Sequence, residues 1–376
     1  MVFLPVSLFY LRNHSAFMTT DSILRQIIEE GEERYLPLVE YMLRRAYPDV
    51  EMTVIEQDKI RKTRQLIVAR NAFLQSELKV VLKALYSSGI SVILLKGVIN
   101  EHLYPSGLRP YSDIDLLVSR DALHQAENVM NSIGYSPNSL RWQPFSEKFE
   151  GENSYIKAGM VDTITEIHWT LGPPFPYAEK IDLKGLRERA VPVNSNGVEA
   201  LALSPEDSLL HSCLHLFDHR HSNWIPSACD ITQIISYFKN KLDWKVFITR
   251  VSEYGIVLPV RFSLKMAMVF KPDIPSGIME ELESLKTGTV EKIRFAVLNS
   301  KRGINIRGSK TLLRLIAVPG IRLKLALIRN ALFPGKDFMV WRYNIQNTNL
   351  MPLYYIIRLK DALAMAFQTA SHTDRK

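Results

Sequence analysis

Cysteine is nearly absent. The chain of 376 residues has two, Cys213 and Cys229, which excludes a disulfide framework and fits a reducing compartment. Neither belongs to a Cys-x-x-Cys pair, so no cysteine zinc site is expected. No run approaches the roughly 18 uncharged apolar residues of a membrane-spanning helix. The opening MVFLPVSLFYL has no basic residue ahead of its apolar stretch and carries Pro5, so it does not read as a secretory leader. A cytoplasmic location is the expectation. The first 17 residues read as disordered or as an over-extended gene start ahead of Met18. Internal repeats, low-complexity tracts and a His-Glu-x-x-His motif are also missing.

Charge is present in ordinary amount, 23% of residues, with 47% hydrophobic content. That composition supports a real core in each of two units. The formal net charge of +8 is unevenly spread. Residues 301–376 hold 14 Lys or Arg against 3 Asp or Glu, and the remainder is slightly acidic. This basic end reads either as an anion-facing surface or as a solvated helical face.

Apolar positions recur at three and four residues in ILRQIIEEGEERYLPLVEYMLRRAY and in LIVARNAFLQSELKVVLKALYSSG, which predicts helices, the second ended by Gly89. The period then changes. SVILLKG reads as a buried strand and VINEHLYPSG as a short helix. DIDLLV reads as a strand, RDALHQAENVMNSIGY as a helix, and NSYIKAG and DTITEIHWTL as a hairpin. From SPEDSLL, a cap followed by a first-turn proline and two acids, helices continue with breaks near Pro226, Pro272, Pro319 and Pro334. The expected fold class is mixed α/β (α+β). Helices fill residues 1–87 with an N-terminal tail, a small mixed sheet lies within 88–200, and a helical domain spans 201–376.

The stretch SDIDLLV carries the chemistry. Residues two apart on a strand share a face, so Asp113 and Asp115 point together while Ile114 and Leu116 enter the core. Paired carboxylates repel unless a cation lies between them, and hard divalent cations such as Mg²⁺ or Mn²⁺ take oxygen ligands. Glu166 in TEIHW is a third acid on a later strand, facing away from Ile167 and Trp169. Three such acids suit a two-metal clamp for phosphoryl or nucleotidyl transfer. Lys96 and Gly97 stand at a strand-to-helix junction, where a close backbone, free N–H groups and an ammonium can meet a phosphate. Each residue also has a plainer reading: a solvated loop cap, an exposed strand acid, a surface lysine. Arg109, four residues before Asp113, either meets a phosphate or clamps one of the two aspartates. His168 shares the face of Glu166 and either orients an acceptor or bonds within the sheet. His211, His215 and His219 recur along one helix, with Asp218, His221 and Asp230 nearby. Three roles stay open for them: a polar network between the two halves, contact with an acceptor, or a separate metal site.

The order of these pieces resembles the DNA polymerase beta-like nucleotidyltransferase superfamily. The run LLKGVINEHLYPSGLRPYSDIDLLV, followed by TEIHW and HLFDHRHSNWIPSACDITQII, is similar to a bacterial branch described as an uncharacterised nucleotidyltransferase family. The likeness covers roughly residues 70 to 240. It implies that Asp113, Asp115 and Glu166 ligate Mg²⁺ (or Mn²⁺) and that Lys96 and Gly97 hold the triphosphate of an NTP such as ATP. The superfamily cradle has Gly-Ser or Gly-Gly; here Gly97 precedes Val98, which leaves Lys96 as the substitute contact. The implied reaction moves a nucleoside monophosphate onto an unidentified acceptor hydroxyl or phosphate of a small molecule, saccharide, peptide or protein. Nucleic acid as acceptor is not favoured, since the basic end lacks a stacking pattern. Two other readings remain beside it. One is a metal phosphohydrolase on the His211/His215/His219 helix; the other is a degenerate nucleotide-binding, antitoxin-like protein.

Overall fold

The computed structural model describes residues 27, 32–138, 151–172, 180–195, 197–220, 224–299, 315, 318 and 320–371. The first 17 residues, the helix start after Met18, His221 and Pro319 lie outside the described residues. Helix α1 (Leu36–Ala46) carries a proline in its first turn, where the missing N–H is harmless. Helix α2 (Val54–Ser87) opens with a reciprocal capping box between Thr53 and Glu56. It closes as expected at Gly89, which takes φ +74° while Ile90 N–H donates back to the Leu85 carbonyl.

The mixed α/β unit follows in the expected order. Strand β1 (Ile93–Leu94), one-turn helix α3 (Val98–Glu101) and strand β2 (Asp113–Leu117) come first. Helix α4 (Leu123–Ser132) leads to β3 (Ser136–Pro137), β4 (Glu152–Lys157) and β5 (Thr163–His168). Helix α5 (Leu183–Glu188) precedes a second hairpin, β6 (Val191–Ser195) with β7 (Val198–Ala202). All seven strands join one sheet in the order β3-β4-β5-β2-β1-β7-β6. Strand β2 is central, parallel to β5 and antiparallel to β1.

Helices then dominate, as expected. They are α6 (Pro205–His219), α7 (Trp224–Tyr237), α8 (Trp244–Tyr254), α9 (Val257–Ala267), α10 (Ile278–Ser284) and α11 (Thr289–Asn299). After them come α12 (Ile321–Leu332), α13 (Lys336–Tyr343) and α14 (Met351–Ser371). Ser204 caps α6 by accepting from Asp207 N–H, ahead of Pro205. Pro226 does not break a helix; it sits in the first turn of α7, where proline is tolerated.

Two cores lie on opposite faces of the sheet. Leu74, Leu78, Val81 and Leu85 of α2 pack with Ile114, Leu116, Ile167 and Trp169 on one face. On the other, Leu117 and Leu95 join a helical core that includes Leu210, Phe217, Ile231, Ile234, Phe247 and Leu264. Leu38, Val39, Met42 and Leu43 of α1 belong to that helical core. The carboxylate-bearing face of β2 is therefore the one turned toward the helices after residue 204. Among the described residues no helix is long and apolar enough to cross a membrane.

Candidate active site

Parallel pairing of β2 with β5 sets Asp115 directly opposite Glu166 and Asp113 opposite Ile164. Pairing of β5 with β4 sets His168 opposite Glu152. Because side chains alternate across a sheet, Asp113, Asp115, Glu166, His168 and Glu152 share one face. The neighbours Ile114, Leu116 and Ile167 fill the opposite core. The apolar alternation fixes which face each acid takes; the strand register fixes which acids meet.

Asp115 is the hub and is wholly buried. His168 Nε2 lies 2.9 Å from its Oδ1, and Lys96 Nζ lies 3.3 Å from the same oxygen. His168 also has Nδ1 3.1 Å from Glu152 and Nε2 3.5 Å from Glu166. Burial works against the Asp115 charge, but Lys96 and His168 hold its carboxyl well below the usual range. Burial likewise opposes the Lys96 charge, and Asp115, Asp113 and Glu166 outweigh it and raise its pKa. His168 is pushed up to about 9: burial opposes the proton, and the bonds to Asp115 and Glu166 win. Asp113 goes the other way, to about 6, through burial and then the nearby Asp115 charge.

A divalent cation has a place here on chemical grounds. Asp115, Glu166 and His168 each offer a ligand atom, all within 4.8 Å of one another. Asp115 Oδ2 is buried without a hydrogen-bond partner, a costly state for an ionised oxygen unless a cation meets it. Among the described residues this is the one such group, and Asp113 stands outside it. Of the expected triad Asp113, Asp115 and Glu166, this group takes in the last two together with His168. Sharing a strand face is a matter of direction and does not set the distance between side-chain atoms.

Gly97 supports the hub by close approach. It holds φ +44°, and a Cβ there would lie 3.3 Å from Tyr111 Cβ and 3.6 Å from Asp115 Oδ2. The helix it opens is a single turn, so the helix-terminus contribution expected for a phosphate is small. Lys96 is the cation at this junction.

Arg109 takes neither expected aspartate. Its Nε and Nη2 donate to Asp230 Oδ1 and Oδ2 at 2.8 and 2.7 Å, and Tyr104 donates to the same carboxylate at 3.1 Å. Both ends of the pair are buried. Asp230 lies on α7, so this clamp ties the loop before β2 to the helical core. Any phosphate contact would compete with a carboxylate that already occupies two of the guanidinium donors.

The histidine helix α6 faces the site. His215 Nδ1 lies 3.1 Å from Ser227 Oγ, and the His215 and His219 rings lie tilted at 37° with centroids 4.5 Å apart. Burial, then the Lys96 charge, lowers the pKa of His211 to about 3 and that of His215 well below its usual value. His215, Ser212, Asn100 and Lys96 line one small cleft together with Arg109 and Asp230. Through His215 and Ser227 helix α6 meets α7. No three-ligand metal group involves α6 among the described residues.

Sequence reasoning missed Glu152. It stands at the start of β4, and the alternation of Tyr155 into the core would have put it on the site face. Its meeting with His168 depends on the β4–β5 register, which periodicity does not give.

A family model described as an uncharacterised nucleotidyltransferase matches residues 24–270. The chain belongs to this family. The match takes in every residue of the site. No curated protein matches the chain. The crystal structure of an antigenic nucleotidyltransferase-like protein from Paracoccidioides brasiliensis is similar at 17% identity and a TM-score of 0.37, over 57% of this chain and 94% of that one.

Proposed function

We propose that the chain is a metal-dependent nucleotidyltransferase that moves a nucleoside monophosphate from an NTP to an acceptor hydroxyl. The observation that carries this reading is the buried, unpartnered Asp115 Oδ2 beside Glu166 and His168, in a chain of a nucleotidyltransferase family. Asp115 and Glu166 would hold a divalent cation, joined by His168 once the ring gives up the proton it shares with Asp115. Bound Mg²⁺ or Mn²⁺ would supply charge stabilisation at the phosphoryl oxygens. Lys96 supplies a fixed positive charge at the junction where the triphosphate enters, held ready by Asp115. Asp113, at the partly exposed start of β2 on the same face as Asp115, is placed to take the acceptor proton. The acceptor oxygen bonds to the α-phosphorus, the bond from that phosphorus to the bridging oxygen breaks, and pyrophosphate leaves. Only one ligand group occurs among the described residues, so the chain's own geometry supports one cation and does not by itself call for two.

The test is calorimetric titration of ATP, GTP, CTP and UTP with and without Mg²⁺, on wild type and Asp115→Asn, with circular dichroism as the folding check. The reading expects Mg²⁺-dependent binding of at least one NTP, lost in the folded variant. Absent binding, or binding indifferent to Asp115, removes the transferase reading and leaves the degenerate one.

A further inference from the structure

The family match ends at residue 270, and the chain changes character beyond it. Residues 301–376 carry an excess of 11 positive charges, whereas the preceding 300 carry a net charge of −3. On α12, Ile321, Leu325 and Ile328 are 69%, 57% and 40% exposed. Spacings of four and three place them in one stripe. Arg322 and Arg329 fall on one border of that stripe and Lys324 on the other, by helical geometry. The helix is held by its other side, where Leu327 is buried against Val318. Helix α14 repeats the pattern: Leu353, Ile356 and Ile357 are exposed beside Lys360. Arg358 donates to the Ala331 carbonyl at 2.9 Å, and Tyr355 donates to that of Pro334 at 2.6 Å. The bonds tie α14 to the last turn of α12 and to the turn that follows it.

Branched aliphatic side chains bordered by Arg and Lys match a surface that is apolar beneath and anionic above. A second copy of the chain would bring the same positive charge to the contact. Single-stranded nucleic acid calls for a row of exposed aromatic rings; here Tyr343 and Tyr354 pack on each other with centroids 5.9 Å apart, and Phe333, 50% exposed, lies against Tyr355.

We propose that α12 and α14 dock the protein on an anionic lipid bilayer. Ile321, Leu325 and Ile328 enter the boundary between headgroups and acyl chains, and Arg322, Lys324 and Arg329 meet lipid phosphates. The enzyme is thereby held at a membrane surface without crossing it.

The experiment is co-sedimentation of the full chain with vesicles of phosphatidylcholine alone or mixed with phosphatidylglycerol. Binding should be at least about tenfold tighter to the anionic vesicles and weaken between about 0.1 and about 0.5 M salt. Leu325→Asp/Ile328→Asp and Arg322→Gln/Arg329→Gln should each lose about tenfold or more, with circular dichroism and NTP binding unchanged. Four results each overturn the proposal. These are no pelleting with anionic vesicles, equal binding to neutral ones, insensitivity to both variants, and a stripe-dependent dimer or RNA complex in place of vesicle binding. NTP binding is a separate readout, so failure here does not touch the catalytic reading.

Discussion

Asp113 and Asp115 are alike in sequence and unlike in place. One is partly exposed with a pKa near 6; the other is buried, held ionised by Lys96 and His168. The two Asp→Asn variants should therefore separate. Asp115→Asn should weaken Mn²⁺ binding, by calorimetry, at least as much as the roughly 10–100-fold known for loss of an outer-shell partner. Asp113→Asn should weaken Mn²⁺ binding less than Asp115→Asn does, since it removes a neighbouring charge and not the buried oxygen, yet lower turnover. Equal losses of affinity would return Asp113 to the ligand set. Gly97→Ala adds a Cβ where φ is +44° and Tyr111 is 3.3 Å away; thermal unfolding should show a loss of at least about 1 kcal/mol. At this scale the sequence showed which side chains share a face, because alternation is local. It did not show that Arg109 meets Asp230, a pair 121 residues apart, or that Glu152 meets His168.

Elements were legible where their apolar period is strong. The hairpin of β4 and β5 and the capped start of α6 follow from nearest neighbours. Helix α2 begins about a dozen residues before its apolar period, because Val54 and Ile55 project into solvent at 82% and 81% exposure. The capping box at Thr53 was the available signal. The β6–β7 hairpin is short and half exposed, and it gave no clear period. Between elements the Arg109–Asp230 clamp is the testable joint. Arg109→Met would strand a buried carboxylate, and urea unfolding should show a loss of about 3–5 kcal/mol. The double variant Arg109→Met/Asp230→Leu should recover part of it. A single-variant loss below about 1 kcal/mol, the range of exposed pairs, would show that the clamp is solvated.

For the whole molecule, acid sensitivity follows from α6. Folded His211 has a pKa near 3, against about 6.5 in an unfolded chain. Below pH 6.5 the unfolded chain takes up the proton first, so stability is full above that value and falls as pH drops toward 3. At pH 5 this group alone removes about 2 kcal/mol. His211→Leu should lose less stability than wild type between pH 7 and pH 5 in urea titrations; parallel losses would refute the assignment. The sheet between two cores has another outcome, for synthesis. Helix α1 packs with α2 and with α7, yet it leaves the ribosome roughly 190 residues before α7 is complete. At about 5–20 residues per second, Leu38, Met42 and Leu43 wait on the order of 10 to 40 seconds for their partners. The nascent chain thus shows a chaperone a greasy helix long before its carboxylate-bearing strands have paired.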